Sequence, residues 1–299
     1  MVNVNVLYTN RAAAKRFVDS CENSFKKEIL NVSDSLVLND NSNIITLCGP
    51  TCSGKTTTAS ILTIDLSEKG KRAKVLSIDD FYFSYDEMKL RNITNFETVE
   101  AIDLECFSKV VSDLINCIPV KLPIFNFTTK SREYSEEYIP QSNDVYIIEG
   151  IQAMYPEITD ILSNYNSKSI FISVAKDISI CGTEFDKNEI RLMRRVVRDH
   201  FYRGSTAANT MQLWKNVRTN EELNIYPYAN KANYVINSML PYEVFVISKN
   251  FMDITENYSK SDFGYDTIIS LRERLRNLLD SSITPDMVPQ GSVFREFIL

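Results

Sequence analysis

The chain of 299 residues contains 44% hydrophobic, 11% aromatic and 24% charged residues, which is typical of a soluble globular protein and excludes a disordered or collagen-like chain. Its 33 basic and 39 acidic side chains give a net charge of 33 − 39 = −6, which argues against a protein that coats nucleic acid. No apolar stretch approaches the ~18 residues of a membrane helix, and Met1 to Asn5 lack a basic start, so we expect a cytoplasmic protein with no membrane or nucleic-acid partner.

The cysteines include no C-x-x-C pair, and His200 is the single histidine, so a zinc site is hard to assemble. We expect reduced cysteines with packing roles; they are Cys21, Cys48, Cys52, Cys106, Cys117 and Cys181. The chain length fits either one large α/β domain with appendages or two small domains.

The N-terminal region has apolar residues at helical spacing among Lys and Glu, which predicts one or two amphipathic helices between positions 11 and 30. The apolar residues are Phe17, Val18, Cys21, Phe25, Ile29 and Leu30. A polar run at 39–43 marks a boundary. We therefore predict an N-terminal helical extension over 1–40 and a main domain over 41–250.

Short apolar runs in the main domain, at 44–48, 73–78, 145–148 and 169–174, are predicted to be β-strands. Several are apolar on both faces, as expected of a parallel sheet that helices cover. Asp103 is predicted to cap a helix that extends to Ile115. This alternation predicts an α/β fold with a doubly wound, mostly parallel sheet, in which ligands bind beyond the carboxyl ends of the strands.

After about residue 250 the pattern changes, which predicts a C-terminal helix and tail over 251–299. One apolar stripe, formed by Ile268, Leu271, Leu275, Leu278 and Leu279, predicts a helix docked on the main domain. The last stretch, 284–299, contains Pro285, Pro289 and Gly291 and is predicted to be an extended tail. Its residues suggest no role.

The first predicted strand of the main domain runs directly into a phosphate-binding motif. Its residues, Gly49-Pro50-Thr51-Cys52-Ser53-Gly54-Lys55-Thr56, fit the pattern G-x-x-x-x-G-K-[ST]. Backbone N–H groups of such a loop point at one anion, Lys55 can reach the terminal phosphates, and the Thr56 hydroxyl can ligate Mg²⁺. Thr57 continues the helix whose positive end faces the phosphate. The alternative is a glycine-rich turn that ends in Lys-Thr by chance, which the flanking strand and helix disfavour.

Acidic residues follow two other predicted strands. Glu149 ends the strand at 145–148, where its carboxylate would face the phosphate loop and hold Mg²⁺ directly or through water; the alternative is a solvated loop carboxylate. Asp79 and Asp80 follow the strand at 73–78. A carboxylate there can take a proton from an attacking hydroxyl, although Asp-Asp pairs also occur in turns and helix caps.

Arginines at 191, 194, 195 and 198 recur at helical spacing, and Arg203 follows about one turn later. Like charges stacked on one helix face repel, so the pattern requires an anion or carboxylates opposite it. We predict a polyphosphate there and an arginine lid at about 188–204 that neutralises a transferring phosphoryl group. The alternatives are a solvated basic face paired with Glu189 and Asp199 or, less favoured in an acidic chain, an RNA-binding helix.

Ordered motifs over about residues 43–248 resemble the uridine kinase and phosphoribulokinase family of P-loop small-molecule kinases. They are the phosphate loop, Asp79-Asp80-Phe81-Tyr82, Asn95-Phe96-Glu97, Pro123-Ile124-Phe125-Asn126-Phe127 with Arg132, Ile148-Glu149-Gly150-Ile151 and Arg194-Arg195-Val196-Val197-Arg198-Asp199. The resemblance implies a P-loop NTPase/kinase fold in which Asp79 is the base and Glu149 the magnesium-associated acid. It also implies that Arg195 contacts sugar hydroxyls of the acceptor, while Arg198 and Arg203 belong to a lid over the ATP phosphates.

The substrate pocket departs from the family pattern. Glu97 stands where uridine kinases usually have Asp, and Phe125-Asn126-Phe127 followed by Lys130 replaces the Tyr-Asp-Phe and His that read the pyrimidine edge. Discrimination by such buried hydrogen bonds can reach ~10⁴-fold, so kinase chemistry is better supported than uridine as the acceptor. The pocket, together with the tail motif Val293-Phe294-Arg295-Glu296-Phe297-Ile298, looks closer to longer bacterial uridine-kinase-like proteins.

The altered pocket has two interpretations. The aromatic residues Tyr82, Phe96, Phe125 and Phe127 can form a wall for a flat or cyclic acceptor, with Lys130 and Arg132 receiving a phosphate or carboxylate. Alternatively, the aromatic residues belong to the core and the basic pair is solvated.

These features predict an Mg²⁺-dependent kinase that transfers the γ-phosphoryl group of ATP or GTP to a hydroxyl of a nucleoside or sugar-like metabolite. Lys55, Asp79, Arg198 and Arg203 are the predicted catalytic residues. The main alternative is a nucleotide-binding switch that has lost transfer activity, and an ATP-hydrolysing motor lacks a Gln or second acid to orient water. A homo-oligomer stays possible because the terminal helices could form an interface, although such apolar stripes more often close a monomer's core.

Overall fold

The structure is a computed structural model that describes residues 1–37 and 42–298. The strands are β1 (Val2–Val4), β2 (Ile44–Cys48), β3 (Arg72–Ser77), β4 (Val120–Asn126), β5 (Ser131–Tyr138), β6 (Asp144–Glu149), β7 (Ser167–Ser173), β8 (Ile178–Ile180), β9 (Thr183–Phe185) and β10 (Tyr234–Asn237). The helices are α1 (Arg11–Ser35), α2 (Lys55–Glu68), α3 (Tyr85–Leu90), α4 (Leu104–Ile115), α5 (Pro156–Leu162), α6 (Lys187–Arg203), α7 (Ala207–Asn224), α8 (Tyr226–Ala229), α9 (Glu243–Ile254) and α10 (Tyr265–Leu275). Short 3₁₀ turns lie at Ile78–Phe81, Val99–Ala101, Arg276–Leu278, Pro285–Met287 and Val293–Phe297.

A five-stranded parallel sheet in the order β10-β7-β2-β6-β3 forms the centre of the molecule. Every residue of β2 is buried, because helices cover both faces of the sheet and a strand between them has no solvated side. The predicted α/β fold with a mostly parallel sheet is therefore confirmed. The four predicted strands match β2, β3, β6 and β7, with ends that differ by up to two residues.

Two smaller sheets flank the central one. Strands β4 and β5 form an antiparallel hairpin, and β1 pairs in parallel with β8, which pairs with β9. The predicted cap of α4 is present, since the Asp103 carboxylate accepts a hydrogen bond of 2.9 Å from the Cys106 backbone N–H. The N-terminal helical pattern belongs to the single helix α1, whose cap is Asn10. Of the predicted polar boundary at 39–43, positions 39–41 lie outside the described residues.

The terminal regions share the main hydrophobic core. Val18 and Ile29 of α1 are fully buried among side chains of α2, β2 and α6, and Leu271 of α10 is buried in the same cluster. The stretch at 284–298 differs from the predicted extended tail, because it folds into two 3₁₀ turns and buries Phe294 and Phe297 completely. Apolar side chains at helical or turn spacing gain more free energy from burial against α6 than an extended solvated tail could.

The remaining sequence expectations concern cysteines and membranes. All six cysteines are unpaired, with Cys48 and Cys52 buried and Cys117 and Cys181 exposed. Within 1–37 and 42–298, no helix combines the length and apolar character that crossing a bilayer requires.

Candidate active site

The loop between β2 and α2 has the backbone geometry of a phosphate cradle. Gly54 has a φ of +83° and ends the loop directly before α2, while Cys52 has a φ of +59°. A Cβ atom on Gly49 would lie 2.0 Å from the Ile172 carbonyl oxygen, so only glycine fits against β7. Ser53 is fully buried in this loop, and its hydroxyl oxygen has no hydrogen-bond partner within the described chain. An anion held by the loop would satisfy that hydroxyl.

The Lys55 side chain folds back onto the loop. Its Nζ donates hydrogen bonds to the carbonyl oxygens of Gly49 at 2.9 Å and Pro50 at 3.2 Å. Thr56, the next residue, is exposed. The Lys55 ammonium therefore bonds to neutral carbonyl oxygens of the loop. A charged phosphate oxygen, which forms a stronger hydrogen bond, can replace these acceptors.

Two acidic side chains lie beside this loop because the sheet is parallel. Strand β6 separates β2 from β3, and its last residue, Glu149, is in register with Leu47 of β2 and Ser77 of β3. Asp79 lies in the 3₁₀ turn that continues β3. The carboxyl ends of all three strands meet at one edge, which brings Lys55, Asp79 and Glu149 together.

Burial raises the pKa of both carboxyl groups above the usual range. For Asp79, the Tyr82 hydroxyl and the charges of Lys55 and Arg203 act in the opposite direction. For Glu149, the Lys55 charge and a hydrogen bond with Ser77 oppose the increase in pKa, while the Asp79 charge adds to it. Desolvation outweighs the cations at both positions, as expected where charged groups share a low-dielectric site.

Tyr82 links Asp79 to a side chain that the sequence patterns did not single out. Gln152 Nε2 donates hydrogen bonds to the Tyr82 hydroxyl at 2.9 Å and to the Phe96 carbonyl oxygen at 3.1 Å. Because the amide nitrogen is the donor, the phenol keeps its own proton for another acceptor, and the nearby Asp79 carboxylate, whose pKa Tyr82 lowers, can take this role. Gln152 is fully buried. The sequence signal that could have found Gln152 is its position directly after the motif at 148–151, which contains Glu149.

The aromatic side chains predicted for the acceptor pocket form one cluster. Ring centroids are 5.3 Å apart for Tyr82 and Phe96, 5.6 Å for Tyr82 and Phe125, and 5.1 Å for Phe125 and Phe127, each pair edge to face. Phe125 is 5% exposed and Phe127 is 62% exposed. The cluster thus extends from the core at Phe125 to an open apolar surface at Phe127.

The predicted polar residues of the pocket lie in two groups. Burial raises the pKa of Glu97, and the charge of Arg195 acts in the opposite direction, so the two side chains are within electrostatic reach of each other. Lys130 and Arg132 lie on the β4–β5 hairpin, where the Lys130 ammonium stands 5.1 Å from the centre of the Tyr85 ring. The Arg132 guanidinium forms a 2.9 Å ion pair with Asp103 and so fastens the hairpin to α4.

The arginine face of α6 requires a correction. Arg191 and Arg194 are fully buried and do not face a polyphosphate; they pair with Glu221 of α7 and Glu243 of α9. Arg191 Nε also donates to the Thr51 carbonyl oxygen at 3.1 Å, and Arg194 Nη1 to that of Cys52 at 3.0 Å. Since α6 packs directly on the phosphate loop, this stripe faces protein, and its guanidinium groups hold the backbone of the loop.

The other arginines of α6 converge on Asp199, as in one alternative interpretation of the sequence. Arg195, Arg198 and Arg203 lie 3.3, 2.9 and 3.6 Å from its carboxylate. The Arg203 side chain is 59% exposed, and Arg198 is 14% exposed. Glu189 pairs instead with Arg274 of α10. A cluster of three guanidinium groups around one carboxylate carries a positive excess beside the loop.

A central parallel sheet whose strand β2 leads through a glycine-rich, lysine-bearing loop into a helix defines a P-loop α/β protein. The sequence model of the phosphoribulokinase/uridine kinase family matches residues 44–244, and the chain belongs to this family. Family membership and the names of relatives indicate a small-molecule kinase, and the family implies a nucleotide as the phosphoryl donor.

Individual relatives are distant. A uridine kinase of Mycoplasma genitalium is 29% identical over 176 residues, which cover 58% of this chain and 74% of that protein. A pantothenate kinase of Ligilactobacillus salivarius is 28% identical over 140 residues, covering 46% of this chain and 43% of that protein. Among solved structures, a D-glycerate 3-kinase of Cryptococcus neoformans aligns with 72% of this chain and 88% of its own at 15% identity, with a TM-score of 0.45.

Proposed function

We propose that the protein is an Mg²⁺-dependent kinase that transfers the γ-phosphoryl group of ATP or GTP to a hydroxyl of a nucleoside or sugar-like metabolite. One observation carries the proposal: the Asp79 carboxylate lies at the edge of the sheet where the phosphate loop begins, within the electrostatic influence of Lys55 and Arg203. A base beside a phosphate cradle is the arrangement that phosphoryl transfer to a hydroxyl requires.

The donor site consists of the loop at 49–54 with Lys55, Thr56 and Thr57. The loop N–H groups and the Ser53 hydroxyl, which has no partner among the described residues, hold phosphate oxygens. Lys55 gives up its hydrogen bonds to the loop carbonyl oxygens and binds the terminal phosphates instead. Thr56 and Glu149 supply the oxygen ligands that Mg²⁺ prefers. The ion, when bound, neutralises charge on the phosphate oxygens.

Asp79 accepts the proton of the attacking hydroxyl while the Tyr82 phenol holds the carboxylate in place. Arg203, which is largely exposed, turns from Asp199 to the transferring group, and Arg198 supports it from α6. Most of the acceleration then comes from positioning and charge neutralisation, since phosphoryl transfer leaves the protein little covalent chemistry.

The acceptor lies against the aromatic cluster of Tyr82, Phe96, Phe125 and Phe127. Its hydroxyl groups contact Glu97 and Arg195, whose charges influence each other in this pocket. Lys130 and Arg132 border the pocket on the hairpin side. Named relatives phosphorylate uridine in one case and pantothenate in another, so a hydroxyl-bearing metabolite is the shared chemistry.

The test is to incubate the purified protein with labelled ATP and a panel of nucleosides and sugars, and then to compare two neighbouring variants. Asp79→Asn should retain ADP binding and lower kcat by ~10²-fold or more, because it removes the base but not the cradle. Asp80→Asn is the matched control, since among the described residues its carboxylate accepts the Phe125 N–H, at 3.0 Å, and an amide oxygen can accept the same hydrogen bond. Unchanged kcat in Asp79→Asn excludes this residue as the base.

A second candidate is a nucleotide-binding switch without transfer activity. The specific observation in its favour is a carboxylate of the C-terminal region, Glu296, which accepts hydrogen bonds from the N–H and the hydroxyl of Thr57 beside the phosphate loop. Nucleotide binding with no transfer to any acceptor of the panel favours the switch, and a phosphorylated product favours the kinase.

A further inference from the structure

The C-terminal turn at Val293–Phe297 packs directly on the phosphate loop. The side chain of Val293 fills the space beside Gly54, where a Cβ atom would come within 2.0 Å of its Cγ2. Phe297 lies 5.0 Å below the Arg194 guanidinium, and Tyr202 of α6 donates a 2.7 Å hydrogen bond to the Ile298 carbonyl oxygen. These contacts fix the backbone of the turn beside the first residues of α2.

The turn places the Glu296 carboxylate at the start of α2. One of its oxygens, Oε1, accepts hydrogen bonds from the Thr57 backbone N–H at 3.2 Å and from the Thr57 hydroxyl at 2.5 Å. Thr57 is the third residue of α2, and N–H groups in a first helical turn have no partner within the helix. Such groups bind phosphate in loops of this type. Glu296 therefore engages donors that a bound polyphosphate needs.

Glu296 also contributes charge to the candidate site. Its negative charge raises the pKa of Glu149 and that of Arg198, which places it within electrostatic reach of both the acidic and the basic side of the site. Within the part of the chain that the structure describes, none of the ion pairs, in which N and O lie within 4.0 Å, includes Glu296. Among the described residues, no ion pair neutralises the negative charge of Glu296, so this charge acts on the groups of the phosphate loop and the site beside it.

A second carboxylate on the loop provides a contrast. Glu221 accepts a 3.2 Å hydrogen bond from the Thr51 N–H, is paired with Arg191 and Arg218, and has a side chain that is only 2% exposed. Glu221 is thus a fixed support of the loop. Glu296 is partly exposed and unpaired, so its side chain can turn into solvent while Val293 and Phe297 keep the turn in place.

We propose that Glu296 is an internal anionic ligand of the phosphate loop that the donor nucleotide must displace, and so determines the affinity and salt dependence of donor binding. The inference rests on the proposed function, because it requires the loop to bind a nucleotide. Glu296 lies beyond residues 44–244, so this property belongs to the C-terminal region of this chain rather than to the part that matches the family. Displacement leaves Thr57 free to donate both of its hydrogen bonds to a phosphate oxygen.

The experiment measures ADP binding to the full-length chain by calorimetry for the unaltered protein, Glu296→Gln, Glu296→Ala and Asp286→Asn. Asp286 is the matched control, because it lies in the same terminal stretch, loses the same charge, and pairs with Arg11 on the surface with a side chain that is 61% exposed. We expect both Glu296 variants to bind ADP about tenfold more tightly at low ionic strength, since a competing charge-assisted hydrogen bond is removed. Asp286→Asn should bind ADP like the unaltered protein.

Measuring ADP binding at several salt concentrations separates charge competition between Glu296 and the nucleotide from a structural effect of the substitution. The gain of the Glu296 variants should shrink towards 1 M salt, where the screening length falls to ~3 Å. Equal or weaker ADP binding by folded Glu296→Gln, or a gain that salt does not reduce, overturns this inference while the proposed function stands. Failure of every protein in the set to bind ADP overturns the proposed function and the inference with it.

Discussion

Asp79 combines two properties that a general base in a kinase needs. Burial raises the pKa of its carboxyl group, which makes the carboxylate a stronger base than an exposed aspartate, while Lys55, Arg203 and the Tyr82 phenol keep part of that increase in check. Gln152 determines the direction of the phenol proton, because both of its N–H groups are donated, to the Tyr82 oxygen and the Phe96 carbonyl. Gln152 thus orients the phenol, which in turn lowers the pKa of the base.

Replacing Tyr82 with Phe should therefore move the acid limb of the kcat/KM profile to higher pH. The phenol stabilises the charged carboxylate and lowers its pKa, so its loss lets the pKa rise further and the base becomes protonated at a higher pH than before. The plateau rate above this limb should fall by less than about tenfold, because the base itself is retained. Tyr134→Phe, on an exposed ring, is the control. An acid limb that stays in place contradicts the proposed orientation.

At the scale of elements, α6 supports the phosphate loop through buried ion pairs. Arg194 bridges the Cys52 carbonyl oxygen, the Ser238 carbonyl oxygen and Glu243, and no part of its side chain is exposed. A paired charge of this kind contributes little net free energy, but removing one partner leaves the other charge buried and uncompensated.

Arg194→Met should therefore lower the free energy of unfolding by about 3–5 kcal/mol. The double variant Arg194→Met with Glu243→Gln should recover part of this loss, because the uncompensated carboxylate is then removed and the amide can still accept the Leu240 N–H, although the Cys52 and Ser238 carbonyl oxygens still lose their donor. Urea unfolding measures the free energy of unfolding of both variants. Arg16→Met, on the exposed face of α1, is the control and should change that free energy by less than about 0.5 kcal/mol. A double variant as unstable as the single one refutes a charge-based explanation.

The parts of this structure that sequence predicts are those that local pattern determines. Short apolar runs predicted β2, β3, β6 and β7, and the signal is continuous in β2 and β6, where burial on both faces makes nearly every residue apolar or buried. Pairings between distant segments left no such signal in the sequence. Val2 pairs with Ile178, for example, and Arg194 pairs with Glu243, which is 49 positions away. The face of α6 was misjudged for this reason, because helical spacing places residues on a side but does not say what packs against it.

The same limit applied to the candidate site. Strand ends predicted Asp79 and Glu149 beside the loop, since parallel strands bring their carboxyl ends to one edge. Glu296 lies 239 positions from Thr57, and its proline- and glycine-containing stretch has no period that indicates burial. Gln152 resembles any amide in a loop until its two acceptors are known. Both required the tertiary structure.

At the scale of the whole molecule, the terminal regions share a hydrophobic core with part of the family-matched region, while a second cluster of buried residues lies around β3, β4 and α4. Glu22 of α1 accepts hydrogen bonds from the hydroxyl groups of Tyr242 and Ser292, and the centre of the Tyr242 ring lies 5.9 Å from that of Phe294. These contacts join α1, the start of α9 and the C-terminal region at one point. Elements that share a core unfold together, since none can bury its apolar face alone.

Phe297→Ala tests this cooperativity. Its ring is fully buried against Arg194 of α6, so truncation should lower the free energy of unfolding by about 3–5 kcal/mol. Because the core is shared, urea unfolding should remain a single transition with the same midpoint by far-UV and near-UV circular dichroism. Leu213→Ala, at a position that is 52% exposed on α7, is the control and should change stability by less than about 0.5 kcal/mol. Separate midpoints, or a loss no larger than that of the control, contradict a C-terminal turn that is integral to the domain.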